Sequence, residues 1–161
     1  MDEVRTAEQD AGGLPFTDAA RRLLADARAE SDRLMHGYIG TEHLALALVR
    51  QSSDAASLLR LGVDWEQVRA LITEIIKPGE SAPVSGRERP FTSRTKRAFA
   101  LAGASARDLG HAAVGLEHLV LGLMREGVCI AAQTLSRHGL TEERALEQVQ
   151  RSGAETSSST S

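Results

Sequence analysis

Aromatic side chains are scarce in this chain: three Phe, one Trp and one Tyr among 161 residues. A core must therefore be assembled from Leu, Ala, Val and Ile. With almost no alternating β-branched runs, that mix points to an all-α protein. Cysteine is scarcer still. Cys129 alone excludes an internal disulfide framework and suits a reducing cytosol. No apolar run approaches the roughly 18 residues needed to span a bilayer. Residues 1–13 are polar and mixed in charge, unlike a secretory signal. The net charge of −3 argues against a nucleic-acid partner, because phosphate neutralisation supplies most such affinity. Two catalytic signatures are missing, the Gly-x-x-x-x-Gly-Lys-Ser/Thr phosphate loop and the Gly-x-Ser-x-Gly elbow. The expectation is a cytoplasmic protein with no cofactor and no membrane partner, and without ATP hydrolysis or α/β-hydrolase chemistry.

What is present is a duplication. Phe16-Thr17 returns as Phe91-Thr92, His36 as His111, and Gly40-Thr41-Glu42-His43-Leu44 as Gly115-Leu116-Glu117-His118-Leu119, always 75 residues later. Positions 16–50 hold 15 identities in 35 aligned pairs. Two copies predict one pseudo-symmetric globule rather than an open solenoid. The organisation expected is a flexible leader (1–14), repeat one (15–77), an exposed linker (78–90), repeat two (91–151) and a disordered Ser/Thr-rich tail (152–161).

Each repeat should carry four helices. Thr17 caps the first, whose stripe of Ala20, Leu24, Ala27, Ser31 and Leu34 has helical spacing. Thr95, Phe99, Ala102, Ala106 and Leu109 repeat that spacing. Leu44 to Val49 is apolar on every side of a helix, so the second helix should be buried, as should Leu119 to Met124. A short third helix, about Ala55 to Leu61, should end at Gly62, and its counterpart at Gly139. The register slips there to 77, which places two extra residues near 127–130. Asp64 with Gln67 opens the fourth helix, which Pro78-Gly79 stops, and Thr141 opens the last.

Four repeated histidines invite a metal reading. His36 and His43 are seven apart, as are His111 and His118. Zinc ligands usually come at closer spacings and with Cys or carboxylates, so hydrogen bonds that tie loop to helix are the expected role, and no metal site is assigned. Cys129 has no indicated catalytic partner and reads as a packing residue. The turn Gly40-Thr41-Glu42 has two readings. A helix N-terminus with a hydroxyl and a carboxylate offers an anion site beside a guanidinium site. Alternatively, Thr41 caps the helix and Glu42 complements its dipole. A basic run around Phe91, comprising Arg87, Arg89, Arg94, Lys96 and Arg97, reads either as a docking patch for an acidic peptide or as a solvated linker.

Phe-Thr before a helix, then His36-Gly37-Tyr38-Ile39-Gly40-Thr41-Glu42-His43-Leu44, and the whole duplicated, strongly resembles the N-terminal repeat domain of Clp unfoldases, of the ClpC type. The resemblance covers about Phe16 to Arg151. It implies two pseudo-symmetric four-helix repeats that receive substrates and adaptor proteins for a Clp ATPase without catalysing anything. It also implies phosphoarginine recognition at the Gly-Thr-Glu turns, which maps to Thr41 and Glu42 in repeat one and to Glu117 in repeat two. Departures concentrate in repeat two, where Leu116 replaces the second Thr and Ala112 and Ala113 replace polar or aromatic residues. In repeat one, Gln51-Ser52 stands where repeat two keeps Glu126-Gly127. Domains of this type are also targets of cyclic-peptide antibiotics, and the matching surface here would be Arg21, Phe91 and Lys96, with Gly13 and Ala100 departing from the pattern. With no ATPase module following, the chain is either a domain excised from a larger Clp ATPase or a free-standing one, and the leader and the divergent second repeat favour the free-standing form. It would present substrates, compete for adaptors, or sequester such a compound.

Overall fold

The structure is a computed structural model that describes residues 2–52, 61–79 and 88–159. Eight helices are seen among them: α1 (Asp2–Asp10), α2 (Asp18–Arg33), α3 (Thr41–Gln51), α4 (Trp65–Ile75), α5 (Ser93–Asp108), α6 (Leu116–Glu126), α7 (Ile130–Arg137) and α8 (Glu142–Ser159). The all-α expectation holds. Among the described residues no single helix is long and apolar enough to cross a membrane.

The helices start where their caps are. Thr17 Oγ1 accepts the Ala20 N–H, and Thr92 Oγ1 accepts the Thr95 N–H, so α2 and α5 begin identically. Asp64 Oδ1 accepts the Gln67 N–H at the start of α4, and Thr141 Oγ1 accepts the Arg144 N–H at α8. Gly62 and Gly139 adopt φ of 69° and 109°, the left-handed turn that a side chain resists. The short helix expected over 55–61 falls largely outside the described residues.

In each repeat the first helix lies against the second, whose apolar residues face the centre. Leu44, Ala45, Ala47 and Leu48 are buried, as are Leu119, Val120, Leu121 and Leu123. Three aromatic rings join the halves. Phe99 is fully buried, with the Phe91 and Phe16 rings edge-on at centroid distances of 4.9 and 6.0 Å. Each Phe-Thr start therefore anchors on one ring, and ring burial of this kind contributes about 2–3 kcal/mol per side chain.

The halves also cross-pair. Thr17 N–H donates to Val114 O and Val114 N–H to Pro15 O, both at 2.9 Å. The equivalent bonds are Ile39 N–H to Pro90 O (2.9 Å) and Thr92 N–H to Ile39 O (3.1 Å). The start of each repeat is thus clipped to the loop before the buried helix of the other repeat.

Two expectations need correction. The leader expected to be flexible is ordered where it is described, over residues 2–14: α1 docks against α2 and α5, with Ala7 and Ala11 fully buried. Its polarity concealed this, because small alanines and ion pairs hold it instead of a large apolar stripe. The backbone of α8 also continues as helix to Ser159, past the expected end near Arg151. Ser and Thr lower helix propensity by only a few tenths of a kcal/mol each, too little to stop a running helix by themselves.

Candidate functional site

The turn before α3 is set by a histidine. Gly40 is the N-cap and Thr41 the first helical residue, so Thr41 does not cap the helix as one reading had it. His43 Nδ1 accepts the Gly40 N–H at 2.9 Å and closes the turn. Since Nδ1 accepts, the proton sits on Nε2, which donates to His36 Nδ1 at 2.8 Å. His36 Nε2 then donates to the Lys77 carbonyl at 2.8 Å. This relay ties loop, buried helix and the end of repeat one together. Repeat two copies it: Gly115 N–H donates to His118 Nδ1 (2.9 Å), and His118 Nε2 to His111 Nδ1 (2.8 Å). Burial, reinforced by the neighbouring His36 or His111, lowers the pKa of His43 and of His118 to about 4. The approach of Glu42 Oε1 to His43 Nδ1 at 3.8 Å is therefore not an ion pair. The histidines serve as loop-to-helix ties, and among the described residues no group of three His, Cys, Asp or Glu is placed to hold a metal.

Glu42 folds back over its own helix start. A Cβ on Gly40 would lie 2.0 Å from Glu42 Oε1, so only glycine leaves room for the carboxylate there. Burial pushes the Glu42 carboxyl above its usual range, against the opposing pull of its own backbone N–H and of His36. Glu117 is held above its usual range by the same causes, with His111 in place of His36.

Around Thr41 and Glu42 lies a groove of about 380 Å³ whose walls come from both repeats. Three helix N-termini converge on it. Thr41 and Glu42 open α3, Thr92, Ser93 and Arg94 open α5, and Val128, Cys129 and Ile130 open α7. Each helix start brings the partial positive charge of its dipole to this groove, although caps and the Glu126 carboxylate already take several of the leading N–H groups. Cys129 is the N-cap of α7: its Sγ accepts the Ala132 N–H at 3.4 Å. Burial pushes its thiol up, which favours the protonated form.

Glu126 completes the wall. One of its oxygens accepts the Val128 and Cys129 N–H groups at 3.1 and 2.7 Å, and the other accepts Arg94 Nη1 at 3.0 Å. Burial pushes this carboxyl up, but those N–H groups and the Arg94 guanidinium outweigh it and hold the group below the usual carboxylate range. Arg94 itself is half exposed and reaches the groove. Sequence reasoning named Arg94 only within a basic run. Its offset of 53 residues from Thr41 gave no sign that the two share a wall.

The equivalent place in repeat two has different chemistry. Leu116 is buried in the core where repeat one has Thr41. Ala19 stands where the groove has Arg94, and Gln51 stands where it has Glu126. The Gln51 amide turns to Asp26 at 3.0 Å. Glu117 keeps its position over the turn but loses all three companions.

The remaining predicted surface is divided. Phe91 is only 5% exposed and packs on Phe99, while Arg21 and Lys96 stay near the surface and face α1. The first helix, absent from the sequence expectation, lies over that region.

The fold is a duplicated helical domain with a polar groove where three helices start. The comparisons place it: residues 15–155 match the Clp repeat (R) N-terminal domain, and the chain belongs to that family. The ClpC/MecB negative regulator of genetic competence from Bacillus subtilis is 39% identical over 136 residues, covering 83% of this chain and 16% of that protein. The chaperone protein ClpB of Oceanobacillus iheyensis is 38% identical over the same shares. The chain thus spans about a sixth of the length of these relatives. Among solved structures, the N-terminal domain of the Arabidopsis thaliana chaperone ClpD superposes with a TM-score of 0.66 at 24% identity, covering 84% of this chain and 94% of that one. Domains of this family are non-catalytic and generally bind substrates or adaptors of Clp ATPases.

Proposed function

We propose that this chain receives protein substrates or adaptors for a Clp unfoldase–protease machine, and that the groove at Thr41 and Glu42 takes a phosphorylated arginine. The observation that carries the reading is the convergence of three helix N-termini and the Arg94 guanidinium beside the buried Glu42 carboxylate. A phosphoryl group suits the first set and a guanidinium suits the second. Phosphoarginine carries both on adjacent atoms. The chain's own groups bind and orient this ligand and break no bond in it. Only repeat one offers the full set, so one site per chain is expected.

Calorimetry with phosphoarginine, and with arginine and inorganic phosphate as separate controls, tests the reading. Phosphoarginine should bind weakly but more tightly than either part. Glu42→Ala should abolish the heat, and Glu117→Ala should change it little. Absence of heat with the wild-type chain, or equal losses in the two variants, would overturn it.

A further inference from the structure

Helix α1 lies ahead of the residues that match the family, yet it is docked. It is an acidic helix on a basic seat. Glu3 is almost fully buried, and its Oε1 accepts Arg28 Nη1 at 2.6 Å and the Arg89 N–H at 3.3 Å. Glu8 accepts the Phe16 N–H at 2.7 Å and lies 4.0 Å from Arg21. Asp10 faces the positive charge of Lys96. At the helix end, Arg107 Nη1 donates to the Ala11 carbonyl at 2.8 Å, where the dipole is negative. Several of these seat positions are equivalents in the two repeats. Arg21 matches Lys96, and Arg28 matches Gly103. A Cβ on Gly103 would fall 1.8 Å from the Ala11 carbonyl oxygen, so the missing side chain is what lets α1 settle on α5.

The same contacts bury little apolar surface. A helix of nine residues is marginal alone in water, so α1 depends on its seat. Its fully buried apolar residues are two alanines, with Val4 and Leu14 only partly covered. The rest is polar: the Glu8–Arg21 approach is open to water and screened by salt, whereas the Glu3–Arg28 pair is buried and screened far less. One Asp10 carboxylate oxygen is buried without a hydrogen-bond partner among the described residues, and burial raises that group's pKa. Beside α1 the surface opens into a groove of about 290 Å³ between Thr6, Glu88, Arg89, Pro90, Phe91 and Lys96.

We propose that the face formed by α2, α5 and the Arg89–Phe91 segment is a docking site for an acidic helical segment of a partner protein, and that α1 is its displaceable occupant within the chain. The occupant's chemistry is read from α1 itself: carboxylates placed for Arg28, Arg21 and Lys96, and a small residue against Gly103. This face is separate from the Thr41–Glu42 groove and stands or falls independently of the phosphoarginine reading.

The test uses the full chain and a labelled peptide of residues 2–13 as the acidic helix. A Glu3→Arg/Glu8→Arg chain, with α1 released and the seat intact, should bind that peptide at least tenfold more tightly than wild type. Binding should weaken as salt rises. Hydrogen exchange gives a second arm without any change to α1. In Gly103→Ala, the amides of residues 4–11 should exchange at least tenfold faster while those of α6 do not change. A third arm needs no variant: wild type in 500 mM salt should show the same selective gain over 50 mM. Peptide affinity equal to wild type in a charge-reversed chain that retains its helical signal would overturn the proposal. So would α1 exchange that is insensitive to both Gly103→Ala and salt.

Discussion

Acidification from pH 7 to pH 5.5 should weaken the fold through two buried histidines. His43 and His118 are neutral relay members with pKa values of about 4, against 6.5 when exposed. A histidine depressed in the folded state favours folding above its unfolded pKa. That contribution is lost as pH falls from 6.5 towards 4, because the unfolded chain takes up the proton first. Between pH 7 and 5.5, linkage gives about 1 kcal/mol for each residue and about 2 kcal/mol for the pair. For a domain of this size the melting temperature should fall by roughly 4–8 °C. The window stops at pH 5.5 for a reason. Glu42 and Glu117 have raised values, so they take up protons more readily when folded and oppose the trend at lower pH. Urea unfolding followed by circular dichroism at the two pH values measures the loss. A His43→Gln/His118→Gln chain should be less stable at pH 7 but show a flatter acid slope. Nitrogen-15 imidazole shifts should place the proton of His43 on Nε2 and leave it neutral at pH 5.5. Titration of either ring near 6.5, or undiminished stability at pH 5.5, would refute the reasoning.

Two packing predictions follow from single contacts. Phe99→Ala removes the ring on which both Phe16 and Phe91 rest, and should cost about 3–5 kcal/mol in denaturant unfolding; a loss under 1 kcal/mol would show that the halves do not depend on it. Gly122→Ala gains about 1 kcal/mol of helix propensity, yet its Cβ would lie 2.3 Å from the Ala98 carbonyl oxygen. The clash should win by about 1–3 kcal/mol, measured as a lower melting temperature, and an unchanged or higher one would show that α5 and α6 separate freely.

Much of the fold was legible because duplication and caps are local signals. Thr17 and Thr92 capped the helices they announced, and the apolar runs after Glu42 and Glu117 became the buried centre. The histidine spacing of seven showed a tie between loop and helix, though not its direction through His36 to the Lys77 carbonyl. Helix α1 escaped notice because its partners are charges scattered over both repeats. Phe91, read as part of a surface, lies on the central ring, since a Phe-Thr start reads alike whether it is buried or exposed.

By itself, the sequence determined the two repeats, their helical identity, the caps and the inequality of Thr41 and Leu116. Each of these depends on neighbours within a few turns or on direct comparison of the copies. Only the tertiary structure decided what Thr41 faces. Cross-pairing of Ile39 with Pro90 and Thr92 brings the start of repeat two against the turn of repeat one, so Arg94 and Cys129 meet Thr41 in one groove. Such long-range pairings leave no period in the chain, because backbone hydrogen bonds between loops specify no side chain.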